Sequence, residues 1–447
     1  MAAQATAYYT LYSFKDDTDG SGPNGVALGE NGALYGTTNM GGANTCSLNI
    51  FYRCGTVFRL TPGGGGTWTK TVLFNFNGGD GSLPSASWPG GSPGPKLTLG
   101  AKGTLYGVTQ NGGSNDSFGG DYGGTVFEMV PPVIAGGTWT ENVLYNFPES
   151  PQSPNSPLGG LLVASDGAVY GTALTNFVPP GGSISGGTVF RLRPPTEPGG
   201  TWTSNTLVNF ANAGLGMLPG AGLVSSGGAL YGTTSEDYPG NGCGMVYEVS
   251  PPSTEGGTWT STAVYSFMGG PNDGCFPVSP LTVDAGGILY GTTFTGAGTA
   301  PCSYSSNFYP GCGTVFQLTP PATVGAAWTE TVIYRFTGTN GDGAFPVAGV
   351  VLGKNGVLFG TTTFGGAATS GSPCMSQGAT GCGTVFKLTP PSVPGGAWTE
   401  TILHSFTGQN GEGSIPGPLT LGPTGVLYGP TWAGGTSGNG TIFAVVP

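Results

Sequence analysis

Residues 10–14 read Thr-Leu-Tyr-Ser-Phe, and residues 143–147 read Val-Leu-Tyr-Asn-Phe. The second string ends a longer segment that starts at Trp139. Relatives of that segment start at Trp68, Trp202, Trp259, Trp328 and Trp398; the first reads Trp-Thr-Lys-Thr-Val-Leu-Phe-Asn-Phe. No further copy follows Phe443, because the sequence ends at Pro447. The copy missing from the end stands at the beginning, in residues 10–14. An open stack of repeats has no use for its last segment at the wrong terminus. A closed ring does, since pairing the two ends completes the circle and removes two exposed strand edges.

Working outward, three more strings each recur seven times. One is Leu34-Tyr35-Gly36-Thr37, repeated down to Leu427-Tyr428-Gly429. Another is Gly55-Thr56-Val57-Phe58, repeated down to Gly440-Thr441-Ile442-Phe443. The last is a short apolar run before each Leu-Tyr-Gly, such as Leu97-Thr98-Leu99 or Leu281-Thr282-Val283. All are β-branched or aromatic with alternating polarity, the pattern of strands. Trp328, Glu330, Val332, Tyr334 and Phe336 are accordingly expected on one face. Asn31-Gly32 and Asn355-Gly356 lie between the first two strands of their units, where type I′ turns favour Asn-Gly. The strands are A (apolar run), B (Leu-Tyr-Gly-Thr), C (Gly-Thr-Val-Phe) and D (the Trp segment). Four antiparallel strands repeated radially predict an all-β, seven-bladed β-propeller in one domain, closed by the N-terminal strand. The expected blades are 23–76, 77–147, 148–210, 211–267, 268–336, 337–406 and 407–447, the last completed by 6–14.

The motifs Gly-x-Leu-Tyr-Gly-Thr-Thr at residues 32–38 and Gly-Thr-Val-Phe-x-Leu-Thr-Pro at residues 383–390 resemble the GloVer (Gloeo-Verruco) tandem repeat of extracellular bacterial proteins. The resemblance covers nearly the whole chain and keeps the motifs in order. It implies a repeat architecture and an extracellular address, and it implies no catalytic residues. Family members carry an export signal and a C-terminal surface anchor. Here residues 1–5 lack a basic and apolar leader, so the sequence is expected to stand without its signal.

Glycine is abundant, at 89 of 447 residues, yet regular apolar segments argue against disorder. Acids outnumber bases 22 to 11, for a net charge of −11. So few cations give little counterion release, which excludes nucleic acid as an expected partner and disfavours anionic membranes. No apolar run is long enough for a transmembrane segment. A neutral glycan or cell-surface polymer fits this surface better.

Eight cysteines fall in or beside the B–C and D–A loops. Cys46 and Cys54 flank one B–C loop, Cys302 and Cys312 another, Cys374 and Cys382 a third. Cys243 takes the site of Cys54 without a partner in its own loop. Cys275 lies in the next D–A loop, which a propeller places on the same face. The expected pairs are 46–54, 302–312, 374–382 and 243–275, in an oxidising compartment.

The D–A loops carry a recurring acid-Gly pair at Asp19, Asp80, Asp273, Asp342 and Glu412. Because these loops lead to the innermost strand, the carboxylates are expected to ring the channel mouth. They serve as turn formers or as ligands for a cation or sugar hydroxyls. Asp16, Asp17 and Asp19 resemble part of a calcium loop without its closing Glu, so calcium is the one cofactor considered. Acids outside the repeat, Asp116, Asp121, Glu236 and Asp237, are candidate catalytic carboxylates of the glycosidase kind. Loop aromatics, among them Tyr122, Tyr238, Tyr309 and Trp432, are candidate platforms for sugar rings. Tyr35, Phe58 and Trp68 belong to the repeat and are expected in the core. His404, the sole histidine, stands where other D strands have an aromatic residue; its place on the outermost strand argues against a histidine-dependent triad, and a multi-histidine metal site is excluded. Three functions follow: a secreted carbohydrate-recognition module acting through the B–C/D–A face, a polysaccharide-acting enzyme on that face, or a structural surface protein.

Overall fold

The computed structural model describes residues 6–447 except 16, 45–53, 85–93, 114–122, 135, 149–154, 175–185, 198, 237–241, 255, 299–301, 303–309, 324, 368–373, 377–378 and 394. Seven antiparallel sheets with the order A-B-C-D form the blades of a β-propeller. In blade 1 these strands are Ser21–Pro23 with Ala27–Leu28 (A), Leu34–Met40 (B), Thr56–Pro62 (C) and Trp68–Asn75 (D). In blade 7, strand C is Thr441–Val446 and strand D is Ala7–Ser13. The two pair antiparallel, with Tyr9 opposite Ala444 and Tyr12 opposite Ile442. The expected closure is therefore present.

Strand D carries a bulge in every blade, where the register with strand C slips by one residue. The N-terminal strand has the same slip, between Thr10 and Tyr12. A one-residue insertion turns the following side chains to the opposite face. This corrects the single-face expectation for blade 5. Trp328 lies against Tyr231 of blade 4, whereas Phe336 lies against Phe386 of blade 6. Each D strand thus faces its predecessor with its first half and its successor with its second.

The same aromatic contact closes all seven seams. Phe14–Phe58, Phe76–Phe127, Phe147–Phe190, Phe210–Tyr247, Phe267–Phe316, Phe336–Phe386 and Phe406–Phe443 meet edge to face, with centroids 4.8 to 5.3 Å apart. Such pairs add roughly 0.5–1.5 kcal/mol to their burial. They also explain the glycine of Leu-Tyr-Gly. A Cβ on Gly36 would stand 2.6 Å from the tip of the Phe58 ring, and one on Gly107 2.5 Å from that of Phe127. Phe58 is fully buried as expected, but Tyr35 and Trp68 are only half-buried. They lie in seams too, Tyr35 against Trp139 and Trp68 against Tyr428.

The A–B turns follow the sequence reading. Asn31 and Asn355 have φ of 63° and 58°, and each is followed by a glycine at about 75°, the left-handed pair a type I′ turn needs. The A strand itself is broken in two. Its entry carries a left-handed residue before proline in all seven blades: Gly22, Leu83, Ser156, Leu218, Phe276, Phe345 and Ile415, with φ from 50° to 61°. In six blades the amide of this residue donates to the preceding blade, as from Leu83 to the Cys54 carbonyl (3.2 Å) and from Phe345 to the Cys312 carbonyl (2.8 Å). Bulky residues rarely hold such a φ unless their surroundings impose it. Here an inter-blade hydrogen bond and the following proline do so.

Three expected disulfides are formed, Cys243–Cys275, Cys302–Cys312 and Cys374–Cys382, with Cα–Cα separations of 4.4, 5.1 and 4.9 Å. Cys54 is also disulfide-bonded, while Cys46 lies outside the described residues. The first bridge joins blade 4 to the entry of blade 5, and the others staple B–C loops. No helix among the described residues is long and apolar enough to cross a membrane.

Candidate functional site

The D–A carboxylates do not ring the channel, which corrects the expectation for Asp19, Asp80, Asp273, Asp342 and Glu412. Each folds back onto the end of the strand it has just left. Asp273 accepts the Met268 amide (2.6 Å) and the Tyr265 hydroxyl (3.2 Å); Asp342 accepts the Thr337 amide (2.6 Å). Asp80 accepts the Asn77 amide (2.8 Å), and Glu412 the Thr407 amide (2.7 Å). Strand D leaves an unpaired amide just after its phenylalanine, and a short acidic side chain in the turn reaches it before it can reach the axis. The glycine after the acid has its own cause. The chain there crosses the B-strand threonine, and a Cβ on Gly81 or Gly413 would collide with Thr109 or Thr431.

Asp19 accepts hydrogen bonds from Tyr12 (2.9 and 3.0 Å) and the Lys15 amide (2.8 Å), and it pairs with Lys70 at 2.9 Å. A calcium ion there would compete with an ammonium already in place; Asp16 lies outside the described residues. Among the described residues no group of three or more acidic, histidine or cysteine side chains is arranged to hold a metal ion. His404 stacks flat on Tyr8 at 4.0 Å and meets Glu412 at 2.5 Å, on the outer strand. Burial opposes ionisation of Glu412, but its bonds to His404 and Thr407 prevail and hold its pKa below the usual carboxylate range.

The position of Lys70 in strand D was not singled out in the sequence. Its counterparts in blades 2, 5 and 6 are Glu141, Glu330 and Glu400, each beside the acid of the preceding loop: Asp80, Asp273 and Asp342. One oxygen of each glutamate is buried with no hydrogen-bond partner among the described residues. Burial first, and then the neighbouring aspartate, raise each glutamate pKa to about 7. A carboxyl that holds its proton more tightly when folded favours the folded state at low pH, and that contribution is lost as pH rises through about 4.5 to 7. Stability should therefore fall between pH 5 and pH 8. Discounted for solvent screening, the loss is on the order of 1 kcal/mol per site. Urea unfolding at the two pH values checks it: replacing all three glutamates by glutamine should remove most of the difference, and an unchanged difference would refute the assignment.

The concave feature on the axis is a channel cavity of about 330 Å³, lined mostly by Leu, Val, Pro, Ala and Gly. It is built from the inner ends of the A strands. Their first core residues, Val26, Leu97, Leu161, Leu223, Leu281, Val350 and Leu419, are all buried. The residue before each is Gly25, Lys96, Gly160, Gly222, Pro280, Gly349 and Pro418. Six blades thus offer only glycine or a proline ring there, and blade 2 offers a lysine. Lys96 lines the cavity and is its sole charged residue among the described ones. Aligning the seven A strands would have exposed it. Leu174, Leu218 and Ser235 carry the cavity to the loop-bearing face.

Trp432 follows the B-strand threonine of blade 7, is half-buried, and packs against Gly22 of blade 1. Glu236 lies just beyond strand B of blade 4 (Ala229–Thr234), where its backbone bridges to Met217 and burial raises its carboxyl pKa. Asp116, Asp121, Asp237, Tyr122, Tyr238 and Tyr309 lie outside the described residues.

The sequence profile of the Gloeobacter/Verrucomicrobia repeat matches residues 92–372, more than half of the 447. No curated protein matches the chain. Among solved structures it is similar to a gluconolactonase from Xanthomonas campestris, at 13% identity over 98% of this chain and 89% of that one, with a TM-score of 0.41. It is similar to a polysaccharide lyase at 13% identity, over 98% of this chain and 93% of that one, with a TM-score of 0.48. An α-L-arabinofuranosidase from Fusarium graminearum matches at 13% identity, over 78% of this chain and 91% of that one, with a TM-score of 0.45. Likeness this weak says nothing about chemistry.

Proposed function

This chain belongs to the Gloeobacter/Verrucomicrobia repeat family, and from that premise we propose that it is an extracytoplasmic recognition propeller that binds neutral carbohydrate through its B–C/D–A face. The observation that carries the reading is the commitment of the loop acids. Asp19, Asp80, Asp273, Asp342 and Glu412 all accept bonds from the outer strand or its turn, so they brace the face instead of opposing one another across a cleft. Glycoside hydrolysis needs two carboxylates free to flank the scissile bond. A binding face needs rigid loops, and disulfides supply rigidity in an oxidising compartment. A surface poor in charge suits a neutral polymer, and half-exposed Trp432 at the loop-bearing end offers a ring for stacking.

Co-sedimentation with insoluble polysaccharides, together with a soluble glycan panel, tests this. Binding is expected, and Trp432→Ala should weaken it roughly five- to tenfold. No binding across both panels would count against the reading. Glu236 favours a second reading, since a raised carboxyl pKa suits a general acid. Release of reducing ends, lost in a variant carrying Asp116→Asn, Asp121→Asn, Glu236→Gln and Asp237→Asn, would support an enzyme. Large defined oligomers without ligand binding would point to a structural surface protein.

A further inference from the structure

The channel cavity is apolar on nearly every side, yet one blade places an ammonium in it. The scaffold does not require that lysine, because six equivalent positions close the same ring with glycine or proline. Nor does a salt bridge account for it: Lys96 is exposed to the open channel, and among the described residues no carboxylate contributes to its titration, which desolvation by the surrounding chain lowers. Its segment is nevertheless firmly placed. Asn24, fully buried, accepts the Gly94 amide at 2.7 Å and donates to the Pro84 carbonyl at 2.7 Å, and the Gly25 amide donates to the Gly94 carbonyl at 3.0 Å. The other polar side chains of the wall are few. Thr98 donates to the Leu161 carbonyl at 2.5 Å and Thr282 to that of Val350, so both hydroxyls are spent on seams between blades.

A ligand matching this wall has one negative charge to meet Lys96 and an apolar body to cover Leu158, Leu218, Val278 and Val347. A second charge would find no second cation among the described lining residues. A volume of 330 Å³ is at the lower end for small-molecule sites. We propose that the channel is a binding site for a small amphipathic monocarboxylate, its head paired with Lys96 and its aliphatic body along the axis. This proposal does not rest on the proposed carbohydrate-binding face and stands or falls without it.

Isothermal titration of the full chain with decanoate, below its micelle concentration, tests the proposal, with decanol as the neutral probe of the same length. Saturable decanoate binding is expected, tighter than that of decanol. Lys96→Met, which keeps the apolar stem, should lose about tenfold or more in decanoate affinity while leaving decanol unchanged. Lys96→Arg should retain binding within about threefold, because the charge persists. Absence of decanoate binding, equal affinity for decanol, or full decanoate affinity in Lys96→Met would each overturn it. Should Lys96→Met fail to fold, the wild-type comparison of decanoate with decanol and the Lys96→Arg variant still decide.

Discussion

A chain truncated to residues 15–447 should lose more than roughly 5 kcal/mol of stability and associate with itself in solution. The strand it lacks does two jobs. It covers the edge of Thr441–Val446 along that strand's whole length, from Ala7 opposite Val446 to Ser13 opposite Thr441. Removing it bares a row of backbone donors and acceptors, the template on which another chain adds a strand. It also fills the seam between the last blade and the first. Phe14 is fully buried among Val26, Leu34, Phe58, Leu60 and Ile442, with Leu11 and Tyr12 packed beside it. Burying a phenylalanine contributes about 1.5–3 kcal/mol, and leaving a cavity adds to the loss. Urea unfolding and light scattering check this. A truncated protein that stays monomeric and within about 1 kcal/mol of the parent would refute the closure.

The second large effect is expected at Gly81. Its φ is 122°, and an added Cβ would stand 2.6 Å from the Thr109 methyl and 2.8 Å from its Cβ, with the hydroxyl closer still. Thr109 cannot yield, because its Oγ1 accepts the Thr125 amide at 3.0 Å and meets the Thr125 hydroxyl at 2.9 Å. Backbone strain and overpacking each cost about 1–3 kcal/mol. Gly81→Ala should therefore destabilise by roughly 3–5 kcal/mol. Gly65→Ala is the control. Gly65 also has positive φ (69°), but its Cβ would meet nothing within 4 Å, so only the φ term applies. Equal losses in the two variants would remove the steric argument.

Much of this was legible because the protein repeats each constraint seven times. The glycine of Leu-Tyr-Gly, the phenylalanine of Gly-Thr-Val-Phe and the phenylalanine ending strand D are one seam contact seen from three positions. The displaced strand at residues 10–14 was readable for the same reason. What periodicity could not supply was direction. Strict alternation put Trp328 and Phe336 on one face, and the bulge between them, a one-residue insertion without a marker of its own, sends them to different blades. The D–A acids were misplaced because loop order gives a destination but not where along the loop a side chain finds a donor. Lys96 stayed unseen because it departs from its column, and a departure is visible only after the seven A strands are aligned. The glutamates of strand D were hidden likewise, since each meets an acid far earlier in the chain, in the loop that opens its blade.

Closure of the ring by the N-terminal strand is most directly measured by hydrogen exchange of the full chain. The ladder amides of Ala7–Ser13 should be protected at least about a thousandfold, in step with those of Thr441–Val446. Free exchange of the first strand while Thr441–Val446 stays protected would contradict the ring.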